Sequence, residues 1–184
     1  MLSHKLDRID LRILAKLQKN GRMSKVDLAD AVALSPSPCL ARVSRLERCG
    51  YISGYNARVN MKLLGQTATI FTRVTLSNHY VQTFANFEKK ISTIDEVIEV
   101  HRLSGDYDYL LKFVTRDTDH YQSLMDDILE GDLGIEKYSA CVVLKSPVEK
   151  SYYPIDKLFT LEASEAGTEA LKNELIKIGA YSRP

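Results

Sequence analysis

The chain has 184 residues, 45% of them hydrophobic, and 25 Lys and Arg against 24 Asp and Glu for a formal net charge of +1. This is ordinary globular composition, enough for one medium domain or two small ones. No apolar run approaches the roughly 20 residues of a membrane span, the N-terminal MLSHKLDRID lacks the apolar core of a signal peptide, and Cys39, Cys49 and Cys141 are too few and too scattered for a disulfide framework or a zinc site, so a cytoplasmic protein without metal or cofactor is expected.

Leu6-Asp7-Arg8-Ile9-Asp10 opens a first helix with Asp7 as N-cap and Leu6 and Leu11 placed for a hydrophobic staple. Leu6, Ile9, Ile13 and Leu17 repeat at helical spacing, and Asn20-Gly21 stops the run. Ser24 with Asp27 resembles a capping box for a second helix that buries Leu28, Ala29 and Val32. After Ala33-Leu34, Ser35 caps a third helix whose first position is Pro36, where a missing N–H costs nothing; Pro38 is still within the first turn. Leu40, Val43 and Leu46 fall on one side of this helix, with Cys39 also on the packed side. Arg42, Arg45 and Arg48, spaced i, i+3, i+6, fall nearly opposite. A helix of this kind, set on a preceding short helix, fits a DNA major groove. Gly50 ends it, and Tyr51 to Val59 reads as a two-stranded wing turning at Ser53-Gly54.

Arginines on a polar helix face are most often a solvated surface. The charge distribution favours more than that. Residues 1–64 hold 12 Lys and Arg against 5 Asp and Glu, residues 65–150 hold 9 against 14, and residues 151–184 hold 4 against 5. A basic head on an acidic body is an interaction signal, and a basic head favours phosphate contacts with counterion release.

The middle of the chain changes rhythm. Ala68, Ile70, Thr72, Val74 and Leu76 alternate in a strand over 67–76. Val81, Phe84, Phe87 and Ile91 repeat at helical spacing. A strand over 96–103, the turn Ser104-Gly105-Asp106-Tyr107-Asp108 and a strand over 109–114 follow. Tyr121, Leu124 and Ile128 form a second helical stripe, and residues 137–144 a fourth strand. The order βαββαβ is the ferredoxin-like unit. Its two helices cover one sheet face and leave the other open, where a second copy is expected to pair. Past residue 160, Leu171, Leu175 and Ile178 with Gly179 read as one further helix.

These residues resemble the Lrp/AsnC family, the feast/famine transcription regulators. The resemblance rests on Leu6 to Asp10, Leu17-Gln18-Lys19-Asn20-Gly21-Arg22, Leu34-Ser35-Pro36-Ser37-Pro38-Cys39, Arg45-Leu46-Glu47-Arg48, Gly50-Tyr51-Ile52 and Ser104-Gly105-Asp106-Tyr107-Asp108-Tyr109-Leu110-Leu111, in that order. It implies an α+β chain: a winged helix-turn-helix at 1–60, a hinge at 61–66, a ferredoxin-like effector-binding and oligomerisation domain at 67–153, and an extension at 154–184. It also implies dimers, often assembled into octamers, a nucleoid-associated place, and an amino acid or related metabolite bound between subunits. DNA, as an imperfect palindrome, falls to Ser35, Ser37, Ala41, Arg42, Arg45 and Arg48.

The effector falls to the loop residues Gly105, Asp106 and Asp108 and to Arg102, Thr118 and Cys141. The last three depart from the apolar and aromatic character of the leucine-responsive members and imply a more polar pocket. Asp106 or Asp108 would take an ammonium, backbone N–H groups near Gly105 a carboxylate, and Arg102 a side-chain acid. A plain hairpin turn is the competing reading of that loop. Two other functions stand beside a metabolite-gated regulator: an effector-independent regulator, and an enzyme resembling the sirohaem decarboxylases built on this scaffold, which would need acid–base groups converging on a tetrapyrrole.

Overall fold

Asp7, itself extended, caps the start of α1, Arg8–Leu17. Its carboxylate accepts the Asp10 N–H at 2.8 Å, and the Asp10 carboxylate accepts the Asp7 N–H at 3.1 Å, so two aspartates close a reciprocal capping box. Ile13 and Leu17 are buried, with Leu6 and Ile9 packed beside them. This is a computed structural model, and it describes residues 6–159; the helix read over Leu171 to Ile178 lies outside them.

α2, Lys25–Ala31, starts at Ser24, whose hydroxyl accepts the Asp27 N–H at 3.1 Å and donates to the Asp27 carboxylate at 2.7 Å. Leu28, Ala29 and Val32 are buried as read. Ala33, in the left-handed region at φ 58°, turns the chain, and the Leu34 N–H closes onto the Ala29 carbonyl at 2.9 Å. α3, Pro36–Arg48, follows Ser35 at the N-cap, yet the Ser35 hydroxyl makes no capping hydrogen bond. The third helical position is Pro38, which has no N–H to offer.

The two strands predicted for the wing are corrected. Residues 51–60 contain no strand. Gly50, at φ 77°, instead turns the Tyr51 and Ile52 N–H groups back to the Leu46 carbonyl at 2.9 and 3.3 Å, and the Tyr55 hydroxyl donates to Glu47 at 2.8 Å. A two-stranded ribbon is marginal unless it lies on something else, and the described part of this unit offers no strand to extend it. The chain divides into two compact units, one formed by the residues up to Arg58 together with those from Val148, the other by Val59–Pro147. Residues 148–153, read as the end of the second domain, thus group with the helical unit. There the Gln18 amide exchanges two hydrogen bonds with the Tyr153 backbone, and α7, Ile155–Leu158, follows.

The second unit begins with a short helix, α4, Met61–Leu64, inside the segment read as a hinge. Then come β1 (Ala68–Leu76), α5 (Val81–Ile91), β2 (Val97–Arg102), β3 (Tyr109–Thr115), α6 (Thr118–Glu130) and β4 (Ile135–Val142). The antiparallel sheet has the order β2-β3-β1-β4, the arrangement of a ferredoxin-like unit. Ile70, Thr72, Val74 and Leu76 point into the core, as the alternation requires, and meet Phe84, Phe87 and Ile91 of α5 and Tyr121, Met125 and Ile128 of α6. Two stripe residues are corrected. Val81, 85% exposed, stands at the first turn of α5 outside the core, and Met125 rather than Leu124 is the fully buried residue of α6. Among the described residues no helix is long and apolar enough to cross a membrane.

Thr72 is fully buried, and its hydroxyl shares a 2.8 Å hydrogen bond with the Tyr121 hydroxyl. Tyr121→Phe strands the threonine oxygen, at a cost of about 1–3 kcal/mol. Adding Thr72→Val removes the stranded group and recovers much of that loss. Urea unfolding of both single variants and the double variant measures the coupling, and strictly additive losses would contradict it.

Candidate nucleic-acid interface and effector loop

α3 is held against α1 by charge. Arg42 Nη1 bonds to both Asp7 Oδ2 and Asp10 Oδ1, the latter at 2.9 Å, and Arg45 Nη2 bonds to Asp10 Oδ2 at 2.6 Å. Asp10 is 1% exposed, while the two arginines keep about a quarter of their side-chain surface in solvent. Burial alone would raise the Asp7 carboxyl, but the Asp10 N–H and the Arg42 guanidinium outweigh it and hold the group below the ordinary aspartate value of 3.8. The hydrogen bonds that Arg42 donates to Asp7 and Asp10 in turn raise its guanidinium.

This corrects the reading of three arginines as one presented face. Arg42 and Arg45 flank the buried edge of α3 and turn to α1, because two carboxylates at its start complement them. The buried edge itself is Cys39 and Leu46, and Leu40 is 40% exposed. Burial also pushes the Cys39 thiol up, which keeps it neutral. Directly opposite lie Ser37, Ala41, Ser44 and Arg48, at i, i+4, i+7, i+11, all exposed. Ser44 was missed; its spacing from Ala41 and Arg48 was the available signal. Ser35, exposed and with its hydroxyl unused as a cap, precedes this stripe.

In the second unit, the loop from Ser104 to Asp108 links β2 to β3. Gly105 adopts φ 137°, and Asp106 is exposed. Asp108 is already engaged: Oδ2 accepts the Leu76 N–H at 2.8 Å, and Oδ1 lies 3.0 Å from His79 Nε2. Its carboxylate pins the end of β1, so of the two candidate ammonium acceptors only Asp106 is uncommitted. Arg102 sits opposite Tyr109 on the helix-covered side of the sheet, its Cζ 3.7 Å from the centre of the Phe84 ring. Thr118 opens α6 beyond the far end of β3. Cys141 pairs with Phe71, a residue that faces the open side of the sheet. The loop and Arg102 therefore share one corner of this protomer, and Thr118 and Cys141 do not join them there.

Residues 6–53 match a winged helix-turn-helix DNA-binding family, and residues 69–153 match the Lrp/AsnC ligand binding domain. The transcriptional regulatory protein DoeX of Halomonas elongata is 43% identical over 142 residues, which is 77% of this chain and 90% of that protein. The leucine-responsive regulatory protein of Escherichia coli K12 is 41% identical over 140 residues, 76% of this chain and 85% of that protein. A Neisseria meningitidis transcriptional regulator, solved in complex with L-methionine, superposes at TM-score 0.77 with 31% identity, over 84% of this chain and 99% of its own. An AsnC family regulator from Agrobacterium tumefaciens gives TM-score 0.78 at 28% identity, over 84% of this chain and all of its own.

The aspartate–arginine pairs make α3 docking sensitive to charge. Arg45→Ala leaves the buried Asp10 with one guanidinium fewer and is expected to cost about 1.5–3 kcal/mol; a residue serving DNA alone would leave thermal stability untouched. Because the folded-state Asp7 value is depressed, its contribution is present above 3.8 and is lost as pH falls through the lower folded value. Asp7→Asn keeps the cap but removes this dependence. Its melting temperature is expected to lie below wild type at neutral pH and to converge with it in acid, as followed by circular dichroism.

Proposed function

Because the chain belongs to the Lrp/AsnC family of DNA-binding transcriptional regulators, we propose that paired copies of α3 read an imperfect palindrome and that an amino acid or related metabolite, bound at the second unit, modulates that binding. The observation carrying the DNA reading is the exposed stripe Ser37, Ala41, Ser44 and Arg48, set diametrically opposite the Cys39–Leu46 edge that anchors the helix. Small residues at its N-terminal end allow close approach to base edges, and Arg48 supplies charge at its C-terminal end. Arg42 and Arg45 serve this interface by fixing where the helix points. Two-fold assemblies read two-fold sites, which is why a palindrome is the expected target.

Both relatives are named as regulatory proteins, DoeX as a transcriptional one, which favours regulation over catalysis on this scaffold. The L-methionine complex of the Neisseria regulator favours an amino acid as effector over an effector-independent protein. On this chain the exposed Asp106 would receive the ammonium, and the backbone at Gly105 would receive the carboxylate. A DNA regulator of this kind works in the cytoplasm.

DNA binding is tested by fluorescence anisotropy on an operator selected from random sequence. Ser44→Ala or Arg48→Ala should cost about 1–3 kcal/mol where the side chain reads a base. A phosphate contact by Arg48 instead weakens all sequences alike and lowers the salt slope by roughly one. Unchanged affinity in both variants across salt would overturn the assignment of this stripe.

Assembly is proposed to use the open sheet face, where Phe71, Leu110 and Val114 stand half-buried, on the side away from α5 and α6. Light scattering on the full chain should report a dimer or a multiple of it, and Phe71→Asp should shift it toward monomer. A wild-type monomer would remove this interface.

A further inference from the structure

The open face of the sheet carries more cationic charge than its neighbours neutralise. Alternation along the strands places Arg73 and Thr75 of β1, Lys112 of β3 and Lys137 and Ser139 of β4 on this face. Lys112 is satisfied by Glu99 at 2.7 Å. Arg73 and Lys137 have no ion-pair partner among the described residues. Arg73 donates to the Ser139 hydroxyl at 3.3 Å. Both cations approach a single ring, that of Tyr107, with Arg73 Cζ at 4.6 Å and Lys137 Nζ at 5.9 Å from its centre. Thr75 pairs across the ladder with Lys137. Its hydroxyl oxygen is covered and has no hydrogen-bond partner, the one such side-chain atom recorded among the described residues. A covered, unpaired hydroxyl beside two uncompensated cations calls for an explanation. An oxyanion supplies one, since it accepts from the hydroxyl and the guanidinium and neutralises the ammonium.

We propose that Arg73, Thr75, Lys137 and Ser139, roofed by Tyr107, bind the side-chain carboxylate of an acidic amino acid. The proposal rests on the amino-acid effector reading above and names the class of that effector. The charge count selects an acid. A neutral amino acid brings one ammonium and one carboxylate, which Asp106 and the Gly105 backbone serve. Two additional cations favour a ligand with an additional negative charge. Tyr107 is the neighbour of Asp106 in the same loop, so one loop brings both parts of the site together. Any second copy packed on this face makes the need greater. Covering two cations without a counter-charge costs several kcal/mol, and a bound acid removes that cost.

Isothermal titration of the full-length protein tests this with L-glutamate and L-aspartate against L-glutamine, L-leucine and L-methionine, with inorganic phosphate as a separate arm. The expected result is binding of an acidic amino acid, at least about tenfold tighter than its amide. Arg73→Gln and Lys137→Gln should each weaken that binding by about tenfold. Thr75→Val should weaken it too while raising the melting temperature of the unliganded protein, because it deletes the orphaned hydroxyl; a purely structural threonine would not show that pair of effects. Equal affinity for neutral amino acids overturns the proposal and leaves the effector reading standing, as does unchanged glutamate affinity in the arginine and lysine variants. Phosphate binding as tightly as glutamate overturns the carboxylate assignment. A protein that binds operator DNA but no amino acid overturns this proposal and the effector reading together, and leaves the DNA assignment intact.

Discussion

Everything the helical unit presents to DNA depends on one buried carboxylate. Asp10 is all but inaccessible and still carries two guanidinium bonds. An isolated charge at that depth would cost several kcal/mol, and the arrangement persists only because Arg42 and Arg45 reach it from α3 while the Asp7 N–H reaches it from its own cap. The same two aspartates therefore start α1 and fix α3 upon it. Local capping and tertiary docking share atoms, so α3 cannot shift without also loosening the beginning of the first helix. Of the lysines and arginines of the basic head, these two spend their charge internally, and Arg48 is the member of the i, i+3, i+6 series left on the exposed stripe.

Much of this was legible in the sequence, and the failures share a cause. The caps at Asp7 and Ser24, the stripes of α1 and α2 and the alternation of β1 are local signals with one dominant period, and the structure follows them closely. The direction taken by Arg42 and Arg45 was not local. A helical wheel shows that they lie off the buried edge, but it does not show that a neighbouring helix brings two carboxylates to meet them. The two strands read for the wing failed for a related reason. Ser53-Gly54 has the chemistry of a hairpin turn, yet strands persist by pairing and packing. Here Gly50 returns the backbone to Leu46, and Tyr55 is tied to Glu47. Pro38 shows the reverse case. It was read correctly as harmless to the helix, but its missing N–H also disables the cap that Ser35 otherwise provides.

The ferredoxin-like unit was legible because its faces differ so strongly. Buried residues alternate without interruption along β3, and the opposite positions hold Leu110, Lys112 and Val114. The effector residues were only half legible. Adjacent residues in extended backbone point to opposite sides, so a loop read as a single pocket lining divides its side chains. Asp108 goes inward to the Leu76 N–H and His79. Tyr107 goes outward over Arg73 and Lys137. Gly and Asp marked the turn, but which carboxylate remained for a ligand depended on the end of β1, some 30 residues earlier in the chain.

That division gives the loop a mechanical character. Its backbone is tethered at Leu103 and Asp108, which are joined by a 2.8 Å hydrogen bond, and at Val74, whose carbonyl accepts the Asp108 N–H at 2.9 Å. Between these tethers stand Gly105, which tolerates a wide range of backbone angles, and Asp106 and Tyr107, whose side chains make no hydrogen bond to the strands beneath. A ligand reaching Arg73 or Lys137 meets the Tyr107 ring, which already lies over the same cations. In the proposed site, binding adds a charge-assisted contact beside the weak cation–aromatic one and resets the position of the roofing ring, while the Asp108 anchor holds the strand end in place. Such a displacement changes what the open face offers to a second copy. A ligand alters assembly, and through assembly DNA affinity, only to the extent that it binds one arrangement of that face better than another. Tyr107 is a residue on which such a preference can act, because it lies on the same face as Phe71, Leu110 and Val114 and belongs to the loop that would hold the effector.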